Sequence, residues 1–169
     1  MIKSIVYTSN TGYTEEYAHL LGEKTGLPVL SLKEAAKKLE KNTEIIYLGW
    51  ITANSIKDYK RAASTFSVKA VCGVGLMGTG EKTNDMRKAS GVPDNVPVFS
   101  LQGGFDIRKL HGIYKLMMKI MVKAIVKEAM EKPKKTQKDL ELAEIMQNGG
   151  SYVNQDNLSA ILEWYKQLR

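Results

Sequence analysis

Ser9, Asn10, Thr11 and Thr14 set four hydrogen-bonding side chains around Gly12, and no residue from Thr8 to Thr14 is charged. That set suits an anion held by dipoles. Hydroxyl and amide groups close around it while outward-pointing backbone N–H groups at a helix start, together with the helix dipole, favour negative charge. The elements that must position this turn lie on either side of it. Ile5-Val6-Tyr7-Thr8 reads as an apolar strand, and Thr14–Thr25 reads as a helix. The same residues also make an ordinary strand–turn–helix in which Thr14 is the N-cap.

The run from Ile5 to Leu21 resembles the flavodoxin signature. It has two apolar residues (Ile5, Val6), an aromatic (Tyr7), a hydroxyl (Ser9), a small residue (Gly12), a threonine (Thr14), then Ala18 and the aliphatic Leu21. The resemblance implies a loop, Ser9, Asn10, Thr11, Gly12, Tyr13 and Thr14, that wraps the terminal phosphate of FMN.

Fold class follows from the alternation of patterns. Short apolar runs at Ile2–Thr8, Pro28–Ser31, Glu44–Gly49, Lys69–Leu76 and Pro97–Leu101 predict strands buried on both faces of a parallel sheet. Between them, Thr14–Thr25, Lys33–Leu39, Ile56–Ser64 and Glu81–Ala89 predict helices. This is an α/β chain with a doubly wound, five-stranded parallel sheet. Its flavodoxin-like order would be 2-1-3-4-5, with the ligand crevice at the carboxyl ends of the strands. Asp156–Leu168 predicts the closing helix, with Leu158, Ile161, Leu162 and Tyr165 on one face. One domain spans residues 1–169, and a helical insert of residues 103–153 interrupts it before that last helix. The insert has a long helix near Lys109–Met130, a Pro133-Lys134-Lys135 break, and a helix near Gln137–Gln147 ended by Gly149-Gly150.

Two further loops face the predicted crevice. Gly49-Trp50-Ile51-Thr52-Ala53-Asn54 follows the third strand, and Trp50 offers a broad π-face to an aromatic ligand. It would serve equally as a partly buried anchor of the loop. The resemblance makes Trp50 the residue flanking the isoalloxazine ring, with the backbone of Ile51, Thr52 and Ala53 at the ring edge. Leu76, Met77, Gly78 and Thr79 follow the fourth strand, where flavodoxins commonly carry a second aromatic and this chain has none. Leu76 or Met77 would flank the ring instead. The missing aromatic and the positive charge would make the reduced flavin anion easier to form. Gly73-Val74-Gly75-Leu76-Met77-Gly78 fits G-x-G-x-x-G but follows the wrong strand for a dinucleotide fingerprint, and Glu81 stands where a P-loop lysine would follow Gly80. The glycines read instead as room for the flavin ring. Phe105 reads as a lid or as a core plug. His19 and His111 lack ligand-spaced companions, and no catalytic or metal constellation stands at a motif position.

Length and composition fit one globular domain with a full core. The single Cys72, in an apolar run, excludes an intrachain disulfide and a cysteine-held cluster, and reads as a buried inert thiol. The start lacks a charged leader and apolar h-region, and no run is long enough to span a bilayer. These features predict a cytoplasmic protein.

Charge is uneven. Thirteen Lys/Arg face ten Asp/Glu from Met1 to Gln102, nine face three from Gly103 to Lys135, and three face five thereafter. The middle segment therefore holds most of the net charge of +7. In it Lys115, Lys119, Lys123 and Lys127 recur every four residues among Ile113, Leu116, Met117, Met118, Ile120, Met121, Val122, Ile125, Val126 and Met130. Either this helix packs against both its sheet and the short insert helix, or it offers a basic face to an acidic partner, another subunit or an anionic membrane. Only charge supports nucleic-acid binding, and no recognition module accompanies it. The insert resembles that of the flavodoxin-domain group that includes quinone-linked protoporphyrinogen dehydrogenase.

The resemblance implies an FMN-binding electron-transfer protein serving acidic redox partners. Two other functions stay open. One is an FMN-dependent dehydrogenase of the protoporphyrinogen/quinone type, peripheral to the inner face of the membrane. The other is a cofactor-free interaction module.

Overall fold

Five strands run parallel in the order β2-β1-β3-β5-β6: β1 Ser4–Thr8, β2 Val29–Ser31, β3 Glu44–Thr52, β5 Ser67–Gly75 and β6 Val98–Gln102. A sixth, β4 Ser55–Ile56, pairs antiparallel with the end of β3. Counting parallel strands alone, this is the expected order. The computed structural model describes residues 1–131 and 136–168, without the side chains of Lys138 and Leu142. The predicted Pro133-Lys134-Lys135 break lies outside the described residues.

The contacts divide the chain into two compact units, Met1–Gly103 with Val153–Arg169, and Gly104–Tyr152. In the first unit, side chains alternate across the sheet, so the strands feed two cores. Ile5, Ile46, Leu48, Ala70, Cys72, Val74 and Leu101 meet α1 (Tyr13–Thr25) and α7 (Ser159–Gln167) on one face. Val6, Ile45, Tyr47 and Val71 meet α2 (Leu32–Lys38), α3 (Tyr59–Thr65) and α4 (Thr83–Ser90) on the other. Ile5, Ile45, Ile46 and Leu48 are fully buried, and burial of each such side chain contributes about 1.5–3 kcal/mol.

Three local differences from the sequence reading have physical causes. Trp50, Ile51 and Thr52 are not a loop: they extend β3 and fold back through Ala53 and Asn54, both at positive φ, so that Ile51 faces Ile56. Ile56 is therefore strand, and α3 begins at Tyr59 after Asp58 in the left-handed region. The closing helix is split, with Asn154 capping a 3-10 turn over Gln155–Leu158 before α7. Leu158, Ile161 and Tyr165 are buried on the predicted face.

The second unit holds a 3-10 turn at Ile107–Lys109, α5 at Gly112–Glu131 and α6 at Gln137–Asn148. It opens and closes on a two-strand ribbon, β7 Gly104–Phe105 with β8 Gly150–Ser151. Asp106 binds Arg108 through both carboxylate oxygens at 2.9 Å. A capping box between Thr136 and Asp139 starts α6, and Gly149 at φ 77° ends it. Phe105, read as a lid or a plug, is buried.

Candidate functional site

Strand register brings the three predicted loops to one edge of the sheet. Thr8 pairs with Gly49, Gly49 with Gly73, Trp50 with Val74, and Gly75 with Gln102. The chain thus leaves β1, β5 and β6 at the same carboxyl edge from which the β3–β4 hairpin projects.

The first turn enters α1 through Gly12, not through a Thr14 cap. Gly12 holds the N-cap position at φ 96°, and no side chain caps the helix. A Cβ there would meet nothing within 4 Å, so the space beside it is open, yet the left-handed φ disfavours any side chain. Ser9 Oγ accepts the Gly12 N–H at 3.1 Å and closes the turn. The first-turn N–H groups of a helix have no intrahelical acceptor, so this end can receive an oxyanion. Ser9, Asn10, Thr11 and Gly12 are partly exposed around it, whereas Tyr13 and Thr14 are 7 % and 2 % exposed. Tyr13 belongs to the core under α1. Of the residues read as a phosphate loop, Ser9, Asn10, Thr11 and Gly12 thus stay accessible at this turn, and Tyr13 and Thr14 do not. Beside it, Tyr7 donates its hydroxyl to Glu15 Oε1 at 2.5 Å. Burial and that bond hold the hydroxyl well above its ordinary range, so it stays protonated.

The second and third loops interlock. By strand alternation Trp50 takes the sheet face of Ile46 and Leu48, and it is half-buried. Ile51 turns to the opposite face and packs, with Met77, against the second core. A Cβ on Gly73 would lie 2.6 Å from Met86 Sδ and 3.1 Å from Ile51, and one on Gly75 would lie 3.0 Å from Ile51. These glycines admit Ile51 and Met86, a different cause from the flavin approach read in the sequence. Thr52 and Ala53 are exposed on the hairpin.

Leu76, Met77 and Gly78 are partly exposed, and Thr79 is exposed. Glu81 accepts the Gly78 N–H at 3.2 Å, and Thr79 Oγ1 accepts the Gln102 N–H at 3.0 Å. The Gln102 carbonyl accepts the Tyr17 hydroxyl at 2.5 Å, tying this loop to α1. Glu81 and Gln102 are bracing residues that spacing alone did not mark. The one available signal was their place just beyond a strand or a glycine pair.

Tyr47 supports the same edge from below. Its hydroxyl lies 2.9 Å from Thr8 Oγ1 and donates to the Lys57 carbonyl at 2.7 Å. Burial keeps that phenol neutral. Cys72 is fully buried, and burial pushes its thiol far above the reactive range. His19 is exposed and tilts toward Tyr7 with ring centroids 6.3 Å apart.

A concavity of about 700 Å³ opens at the opposite, amino edge, between Ile2, Leu27, Pro97, Trp164 and Tyr165. None of the three loops lines it. No helix among the described residues is long and apolar enough to cross a membrane. Comparison of the chain with family profiles, with curated proteins and with solved structures returns no match.

Proposed function

We propose that this protein binds FMN at the carboxyl edge of its sheet and carries electrons as a flavodoxin-like protein. The observation that carries the reading is the start of α1 behind Gly12, which no side chain caps, in register with the β3–β4 hairpin and the loop after β5. Ser9, Asn10, Thr11 and Gly12 would hold the phosphate, with Trp50 and the Leu76–Thr79 loop beside the ring. Bound FMN would supply one- or two-electron transfer. The protein's own part is to bind, orient and shield. Tyr7 and Tyr47 stay protonated and neutral there.

The test compares two ligands. Purified protein is mixed with FMN or with riboflavin, which lacks the phosphate, then desalted and scanned in the visible. Retention of FMN is expected. Thr11→Glu would set a carboxylate against the phosphate and weaken FMN at least tenfold while changing riboflavin little. Equal loss of both ligands, or no FMN retention by the parent protein, refutes the phosphate site.

A further inference from the structure

The helix α5 is apolar on two opposite sides. At about 100° per residue, Met118, Val122, Ile125, Val126 and Ala129 fall on one side, and all are partly or fully buried. Within its own unit α5 packs on α6. Ile113, Leu116, Met117, Ile120 and Met121 fall on the other side at spacings i, i+3, i+4, i+7 and i+8. They are 70, 63, 50, 68 and 47 % exposed. A packed surface helix needs one apolar stripe, and a second, uncovered one marks a surface that meets something.

Charge on α5 says what that is. Lys119, Lys123 and Lys127 are exposed and run along one edge of the outward stripe. Glu128 and Glu131 are the acidic residues of the helix, and Glu131 lies 3.9 Å from Lys127 in an exposed ion pair of the weak surface kind. Interfaces between proteins favour aromatics, methionine and arginine and are depleted in lysine; this stripe holds Met117 and Met121 but no arginine, and lysines edge it. A second copy is a poor match. Paired antiparallel, two such stripes would bring their lysine edges together, and paired parallel they would oppose each lysine edge to little beyond Glu128.

We infer that α5 lies in the plane of an anionic lipid surface. Ile113, Leu116, Met117, Ile120 and Met121 enter the headgroup–acyl boundary, and Lys119, Lys123 and Lys127 extend to the lipid phosphates. This docking does not depend on the flavin reading.

The test is co-sedimentation of the full chain with vesicles of phosphatidylcholine alone or mixed with phosphatidylglycerol. Binding to the anionic vesicles only, weakened by salt, is expected. The triple variant Lys119→Ala, Lys123→Ala, Lys127→Ala should lose about a hundredfold in partition. Leu116→Ser with Ile120→Ser should also lose it, with melting unchanged because both side chains are exposed. As a second readout, Met117→Trp emission should shift to the blue on anionic vesicles. The proposal is overturned if the parent protein ignores anionic vesicles or if the Leu116→Ser, Ile120→Ser variant binds them equally well. A Met117→Trp emission that vesicles do not move overturns it too. So does a dimer, seen by sedimentation velocity, that the same serine pair dissolves.

Discussion

Gly73 shows how much one missing methyl group decides at this edge. Its bare Cα lets Met86 from one side and Ile51 from the adjoining strand meet over β5. The contact turns Ile51 into the core and leaves Trp50, its neighbour, on the other face. Gly73→Ala should therefore destabilise the protein by about 1–3 kcal/mol through overpacking, read as a lower urea midpoint with unchanged slope. An unshifted midpoint would mean that Met86 yields freely. Gly12 is required for a different reason: nothing crowds it, and its positive φ alone sets the preference. Both were visible as glycines in the sequence, but only neighbours distant in the chain separate close approach from backbone conformation.

Among the elements, the β3–β4 hairpin is one that local pattern concealed. Trp50-Ile51-Thr52 has the aromatic and β-branched character of a strand, but its turn, Ala53-Asn54, lacks the glycine that usually announces a tight hairpin. Both turn residues are left-handed, at φ 47° and 62°. Asparagine tolerates that region and alanine does not, so Ala53→Gly should raise stability by about 0.5–1 kcal/mol. Chemical denaturation checks this, and a loss of stability would contradict the hairpin geometry. The five parallel strands and the helices were legible because each is decided locally, whereas the β7–β8 ribbon, which pairs residues far apart in the chain, was not. Continuous apolar runs make buried strands, and Leu158, Ile161 and Tyr165 recur at helical spacing to make the buried face of the closing segment. Its 3-10 start depends on the Asn154 cap, which competes with the helix for the same backbone groups.

For the molecule as a whole, depressed carboxylates contribute a modest loss of stability towards acid pH. Hydrogen bonds from the amino terminus and Lys69 hold Glu44 below its ordinary range, and the Ser31 hydroxyl and N–H do the same for Glu34. Arg108 lowers Asp106 in the second unit. Because these folded values lie below the unfolded ones, their stabilisation is complete above about pH 4.5 and is lost as pH falls through the folded values. The urea midpoint should stay level from neutral pH to about 5 and then fall. A midpoint unchanged down to pH 3 would show that these contacts do not differ between folded and unfolded chains.

Local chemistry was enough to read the strand–helix alternation, the glycine-centred turn that leads into α1 and the four-residue lysine repeat, since each depends on neighbours a few positions apart. Long-range packing added the rest. It placed Ile51 and Met77 against the second core, buried Tyr13 and Thr14, and recruited Glu81 and Gln102 to brace the third loop. It also left α5 with one apolar side packed and the other exposed. In sequence those two sides are equally apolar, and a residue's burial is set by what another part of the chain brings against it.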